Sequence, residues 1–114
     1  MVNHYREQLT MLLEQIRPQL ALEHRLEFKN LFGAVAGYVG GRIFISCGRF
    51  GVALRLPSDL LEDLFKETDV ERLRYFPSGH VKREYAVVPQ RIISNKQYLS
   101  KLIDESVNYV GGLE

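Results

Sequence analysis

The spacing of hydrophobic and polar residues changes along the chain from that of a helix to that of a strand. Between Tyr5 and Ile16, apolar residues recur at helical spacing, which predicts an N-terminal helix that buries one face. Asn3 is a suitable N-cap for this helix. Pro18 lacks an amide donor and disfavours helix at Arg17, so we expect the helix to end near that residue. From Leu26 the period becomes that of a strand.

The segment from Lys29 to Pro57 predicts a three-stranded meander. Two turn pairs, Gly40-Gly41 and Gly48-Arg49, separate runs rich in β-branched and aromatic residues. With each pair as a two-residue loop, both hairpins place their apolar side chains on one face, and a one-residue slip would break that agreement. The residues expected on this inner face are Ala36, Tyr38, Ile43, Ile45, Cys47, Phe50, Val52 and Leu54.

The rest of the chain predicts a helix, a hairpin and a last helix. Ser58 is the expected cap of a helix that ends near Glu67, and Ser94 is expected to open a capping box for the last helix. Between them, Leu73–Phe76 and Val81–Val88 read as a hairpin. With a first strand from Leu26, the order is α-β-β-β-β-α-β-β-α. Strands in runs predict an α+β fold, an antiparallel sheet with helices packed on one face.

Composition places the chain among ordinary globular proteins. Its 114 residues correspond to a single domain, 1–114, and 46% of them are hydrophobic. A formal net charge of +1 gives no overall field that would attract DNA or an acidic membrane. The single cysteine excludes an internal disulfide and fits a reducing compartment. No apolar run is long enough for a signal or membrane segment, so we expect a cytoplasmic protein without a membrane partner.

Several short motifs resemble a known family. They are Lys29-Asn30-Leu31-Phe32-Gly33, Gly37-Tyr38-Val39, Gly41-Arg42-Ile43-Phe44, Leu54-Arg55-Leu56 and Tyr85-Ala86-Val87-Val88-Pro89. In order and spacing they resemble the N-terminal domain of the TfoX/Sxy competence-regulator family, from about Lys29 to Tyr109. Leu31 stands where that family usually has Met, and Ala34 replaces its second Gly. The resemblance implies a stand-alone domain without the C-terminal domain of larger members, and a regulatory role linked to competence genes and their transcription.

The second face of the meander is the first candidate site. The expected register places Arg42 directly across from Arg55, with Phe44 protruding beside them. Like charges at opposed positions are unfavourable, so an anionic group should compensate them. One interpretation is an acid of the same chain; the candidates are Glu27, Glu71 and Glu84. The other is a docking surface in which Phe44 anchors a protein partner, expected to be a second copy in a homodimer. A phosphate or nucleic-acid ligand is a third.

A basic and aromatic run from Arg72 to Tyr85 gives the alternative function. Basic residues between aromatic ones can pair phosphates and stack bases, so a nucleic-acid-associated module would use Arg42, Arg55, Lys82 and Arg83. Strand alternation divides this run between two faces, however, and acids lie close by. A solvated hairpin explains the same pattern.

Other candidate chemistry has a structural explanation. Cys47 lies on the expected apolar face with no supporting base, which indicates a small buried residue. The histidines His4, His24 and His80 are dispersed and lack metal-ligand spacing. Glycines from Gly33 to Gly41 fit turns better than a phosphate loop. The sequence therefore predicts a non-enzymatic domain with no catalytic residues, no cofactor and no metal.

Overall fold

Six antiparallel strands form one sheet in the computed structural model, which describes residues 4–113. The strands are β1 (Leu26–Leu31), β2 (Ala34–Val39), β3 (Arg42–Gly48), β4 (Gly51–Arg55), β5 (Glu71–Leu73) and β6 (Lys82–Val88). Their order across the sheet is β1-β2-β3-β4-β6-β5, so β1 and β5 form its two edges. Each neighbouring pair is antiparallel.

Helices cover one face of this sheet. They are α1 (His4–Ile16), α2 (Leu20–Glu23), α3 (Ser58–Leu64), α4 (Gln90–Ile93) and α5 (Lys96–Gly111). Leucines of α1 and α5 share one core with the alternate residues Val52 and Leu54 of β4, and with Ala86 and Val88 of β6. The predicted α+β fold is confirmed. The short helices α2 and α4 add to the predicted order.

A β-bulge at Phe44 changes the faces of the meander. The first hairpin has the predicted loop, because Val39 lies opposite Arg42 and Tyr38 opposite Ile43. The next pair is Gly37 with Ile45, so Phe44 is an extra residue in β3. From there on, β2 pairs with β3 one residue out of the expected register.

The bulge turns Phe44 toward the helices. Its side chain is 0% exposed and belongs to the main core with Ile45. The prediction that Ala36, Tyr38 and Ile43 point inward is wrong, because none of them belongs to that core. In β2 the core residues are Val35 and Val39.

The second hairpin is also offset from the prediction. Gly48 lies opposite Gly51, so the two-residue loop is Arg49-Phe50. Cys47 therefore pairs with Val52, and Ile45 pairs with Leu54. This register differs from the predicted one by two residues. Because side chains alternate between the faces with a period of two, such a shift keeps each side chain on its face, and the inward positions Val52 and Leu54 of β4 were predicted correctly. Phe50 moves from the predicted inner face into the loop, where it packs against a cluster on the opposite face.

Helix starts differ slightly from the predictions. The predicted cap Asn3 lies outside the described residues. Pro57, not Ser58, is the N-cap position of α3, and no side chain caps that helix. The last helix is capped by Asn95, one residue after the predicted Ser94, and its side-chain oxygen accepts a hydrogen bond from the Tyr98 amide at 3.1 Å.

A second, smaller apolar cluster lies on the helix-free face. It contains Ala53, Leu73 and Val87, with the half-buried rings of Phe50, Tyr75 and Tyr85 packed against it. Ala53 lies between two residues of the main core on β4, so strand alternation places this cluster on the opposite face. The chain after β5 thus covers part of the sheet that the helices leave open.

Candidate interaction surface

Phe44 does not form an exposed anchor. The expectation that it protrudes from the helix-free face is wrong, because the bulge places its ring in the main core. Its carbonyl oxygen accepts a hydrogen bond from the Ser106 hydroxyl of α5 at 2.7 Å, and Ser106 is fully buried. This bond satisfies a polar group at the point where the extra residue interrupts the ladder.

Arg42 and Arg55 do not lie directly opposite each other. The ladder between β3 and β4 is offset by two residues from the predicted one, and Arg55 instead lies opposite Tyr85 of β6. The guanidinium of Arg55 forms an ion pair with Glu84 at 3.2 Å, the kind of intramolecular partner that one interpretation expected. Arg42 lies at the start of β3, opposite Val39.

The ion pair of Arg55 extends to α5. The hydroxyl of Tyr109 donates a hydrogen bond to the Glu84 carboxylate. This bond, with a smaller contribution from Arg55, lowers the pKa of Glu84 even though partial burial opposes the shift. Arg55 of β4 and Tyr109 of α5 therefore both bind Glu84 of β6, and Arg55 has the intramolecular acid as its partner.

Lys82 and Arg83 do not lie in one basic site with Arg42. Lys82 starts β6, opposite Leu73 of β5. Arg83 lines a shallow groove with Arg72 beside α3, where Arg72 lies over the ring of Phe65 at 4.3 Å. The four predicted nucleic-acid contacts are thus spread over different parts of the sheet.

A different group of residues forms an exposed surface at one end of the sheet. We call it the aromatic–arginine patch; its members are Phe32, Arg49, Phe50, Arg74, Tyr75 and Phe76. The rings of Phe32 and Phe76 lie 5.7 Å apart, and Tyr75 packs edge-on against both Phe32 and Phe50. The side chains of Phe32 and Phe76 are 58% and 53% exposed. A groove of about 430 Å³ runs between these rings and the two arginines.

The backbone holds Phe32 in an unfavourable conformation. Phe32 and Gly33 form the two-residue loop between β1 and β2, and their φ angles are 52° and 80°. Loops of this kind favour Gly, Asn or Asp, because a side chain at positive φ costs about 1–2 kcal/mol. An exposed phenylalanine is therefore kept where a small polar residue would fit with less strain.

The two arginines of the patch are available for a partner. Within residues 4–113, neither Arg49 nor Arg74 forms an ion pair with an acid, whereas Arg17, Arg55 and Arg91 each do. Arg74 donates one hydrogen bond, at 2.9 Å, to the carbonyl oxygen of Gly79 in the following loop. That bond positions its guanidinium without neutralising its charge.

Tyrosines occupy the helix-free face next to the patch. The hydroxyl of Tyr75 lies 2.8 Å from the buried hydroxyl of Ser46, which fastens the chain after β5 to the sheet. Burial raises the pKa of Tyr75 and of Tyr85 above the ordinary phenol value, because their charged forms would be poorly solvated there. Their packing supports the patch from beneath.

No reactive group lies at the patch. Cys47 is buried on the other face, where its thiol donates to the side-chain oxygen of Gln8 at 3.6 Å. Burial raises the pKa of this thiol, which disfavours the nucleophilic thiolate. The part of the chain that the structure describes contains no group of three or more metal-ligating side chains. None of its helices is both long and apolar enough to cross a bilayer.

Sequence reasoning found only half of the patch, because its residues come from three separate segments. The predicted basic and aromatic run from Arg72 to Tyr85 includes Arg74, Tyr75 and Phe76, but not Phe32, Arg49 and Phe50. The alternation from Leu26 predicts a first strand that ends at Gly33 and contains Phe32, whereas Arg49 is predicted in a turn. For Phe32, the available signal was the dipeptide Phe32-Gly33 before a new alternating run, which is consistent with a two-residue hairpin loop.

Comparison of the chain with protein-family models, with curated proteins and with solved structures finds no match. The resemblance to the TfoX/Sxy family therefore stays a prediction from the motifs.

Proposed function

We propose that this chain is a non-enzymatic interaction domain of the TfoX N-terminal type, which binds other proteins and pairs with a second copy of itself. The observation that carries this proposal is the exposed contact between Phe32 and Phe76, flanked by two arginines without acidic partners. Its setting is the cytoplasm, and its role is regulatory, linked by resemblance to competence genes and their transcription.

The composition of the aromatic–arginine patch supports a protein partner. Aromatic residues and arginine are enriched at the centres of protein interfaces, where a few residues provide most of the binding free energy. The groove has the volume for one or two large side chains, and Arg49 and Arg74 favour acids beside them. We therefore expect the partner to present an apolar anchor flanked by carboxylates.

Capture from an extract of the native host tests this proposal. The immobilised chain should retain a partner, and the double variant Phe32→Ser/Phe76→Ser should lose most of it. Leu22→Ser is a matched control, because Leu22 is an 83% exposed hydrophobic residue on α2. Equal capture by the wild type and the double variant, with both shown to be folded, would contradict the patch as the contact surface.

A nucleic-acid-associated module is the second candidate. The proximity of Arg49 and Arg74 to exposed rings favours it, since single strands bind through phosphate contacts and base stacking. Fluorescence anisotropy with a labelled single-stranded oligonucleotide measures this binding directly. Affinity should fall steeply as salt increases, and Arg74→Ala should weaken it. Absence of binding even at low salt removes this candidate.

A further inference from the structure

The two edges of the sheet differ in their capacity to pair with another strand. β5 has three residues, and its pairing with β6 shifts register between Arg72 and Leu73. Short and irregular edges of this kind resist pairing with a further strand. β1 has six residues and an uninterrupted ladder to β2. Its outer edge is the one regular strand edge that the described sheet offers.

The charged side chains of β1 can pair with those of a second β1 strand that runs antiparallel to it. Glu27 and Lys29 flank Phe28 on the helix-free face, because Phe28 belongs to the core on the other face. If two β1 strands pair antiparallel about a two-fold axis at Phe28, Glu27 of each copy lies opposite Lys29 of the other. Opposite charges at such positions stabilise a strand pair, and both pairs form at once.

We infer that β1 pairs with β1 of a second copy in this register and joins the two sheets into one. The inference rests on the self-association in the proposed function and names its surface. That surface is distinct from the aromatic–arginine patch. A two-fold contact through the patch would bring Arg49 and Arg74 of both copies together, which like-charge repulsion opposes.

The present contacts of the two charged side chains do not prevent this pairing. Glu27 lies 3.2 Å from Arg25 in an ion pair, in which Arg25 is 81% exposed and Glu27 37% exposed. The ammonium group of Lys29 lies 4.9 Å above the ring of Tyr38. Exposed contacts of these kinds are weak and are readily exchanged for a new partner.

An apolar groove lies beside the same edge. It has a volume of about 250 Å³ and is bordered by α1, α2 and β1. Its apolar lining includes Leu13, Leu20, Leu26 and Phe28. Pairing about Phe28 brings Phe28 of the second copy next to this groove. The expected dimer thus gains apolar contacts on the helix side and charge pairs on the helix-free side.

The expected dimer is weak. In this register five residues of each strand, 26–30, lie opposite one another, and they provide an interface below the roughly 1,200 Å² that stable complexes bury. We therefore expect a dissociation constant of about 10 μM to 1 mM. Sedimentation velocity over a concentration series that spans this range measures it. The wild-type chain should change from monomer to dimer across the series.

Charge reversal tests the register. Glu27→Lys and Lys29→Glu each place like charges opposite each other at both pairs, so each variant should raise the dissociation constant by about tenfold. The double variant Glu27→Lys/Lys29→Glu restores opposite charges and should recover the wild-type value. A mixture of the two single variants should form a mixed dimer, because both opposed pairs then join a lysine of one copy to a glutamate of the other. Glu105→Lys on α5 is a matched control for the change in net charge and should not change the dissociation constant.

Two results of the dimerisation measurements would contradict the inference, and one comparison would support two separate surfaces. A chain that stays monomeric throughout the series excludes the β1 pair and leaves protein binding by the patch intact. A dimer that is insensitive to both single reversals places the contact elsewhere, with self-association retained. Loss of capture by the Phe32→Ser/Phe76→Ser variant with unchanged dimerisation would show that the two surfaces act separately.

Discussion

At the scale of single residues, two phenylalanines lie in environments opposite to those that their positions in the sequence suggest. Phe44, in the middle of an alternating run, is the extra residue of a bulge and is fully buried. Phe32, in a two-residue loop, is mostly exposed and has a positive φ. One therefore contributes to stability and the other to a surface.

We expect Phe44→Ala to destabilise the fold by about 3–5 kcal/mol, because the variant leaves a cavity in the main core. Phe76→Ala is the comparison, and it should cost about 1 kcal/mol, mainly through lost ring contacts at an exposed position. Urea unfolding followed by circular dichroism measures both values. A loss below 1 kcal/mol for Phe44→Ala would contradict its burial.

At the scale of elements, the bulge in β3 depends on a glycine in β2. A Cβ atom built on Gly37 would lie 2.7 Å from Cγ2 of Ile45 and 3.3 Å from Cε1 of Phe44. Both neighbours are fully buried, and Ile45 is β-branched, so neither side chain has room to move away. The absence of a side chain at Gly37 thus lets Phe44 and Ile45 enter the core together.

Gly37→Ala should accordingly lower the free energy of unfolding by about 1–3 kcal/mol through overpacking. Gly111→Ala, at the end of α5, has no neighbour within 4 Å of the added atom and serves as the control. That control should be neutral or slightly stabilising. Equal stability of the two variants would show that the bulge tolerates a side chain at Gly37.

The start of α5 allows a second test at this scale. Asn95→Ala removes the side-chain oxygen that caps the Tyr98 amide, and we expect a loss of about 1 kcal/mol in thermal or urea unfolding. Ser94→Ala should have a smaller effect, because the Ser94 hydroxyl only accepts an exposed hydrogen bond from Gln90. A larger loss of stability for Ser94→Ala than for Asn95→Ala would indicate that Ser94, the cap predicted from the sequence, stabilises the start of the helix.

The sequence predicted which segments form helices and strands better than it predicted which face of the sheet each side chain occupies. The glycine pair at Gly40-Gly41 fixed the first hairpin, and the alternation of β4 gave its inward residues correctly. The bulge could not be predicted, because Phe44 and Ile45 are both apolar and an alternating pattern fits either face. The patch could not be predicted either, since it forms only when the loop after β1, the loop after β3 and the chain after β5 meet.

At the scale of the whole molecule, Glu84 joins the two layers. Its carboxylate accepts a hydrogen bond from Tyr109 of α5 and pairs with Arg55 of β4. The helix layer and the sheet are therefore connected by one titratable group near the surface. Its pKa is lowered from an ordinary value near 4.5, first by the Tyr109 hydrogen bond.

This shift predicts how stability depends on pH. A carboxylate whose pKa is lower in the folded state stabilises that state above its unfolded pKa, and this contribution is lost as the pH falls through the folded value. Glu84→Gln should therefore be less stable than wild type at pH 7, and the difference should shrink below about pH 4.5. Urea unfolding at a series of pH values measures it. A difference that stays constant with pH would show that Glu84 contributes by packing alone.

The tyrosines of the helix-free face also serve as intrinsic spectroscopic probes. The chain contains six tyrosines and no tryptophan. Tyr75 and Tyr85 lie close together there, and Tyr38 lies close enough to contribute to the raised pKa of both. The other three, Tyr5, Tyr98 and Tyr109, are on helices, so near-ultraviolet circular dichroism and intrinsic emission report on both layers of the fold. A partner that displaces Tyr75 from Ser46 would change these signals without an added dye.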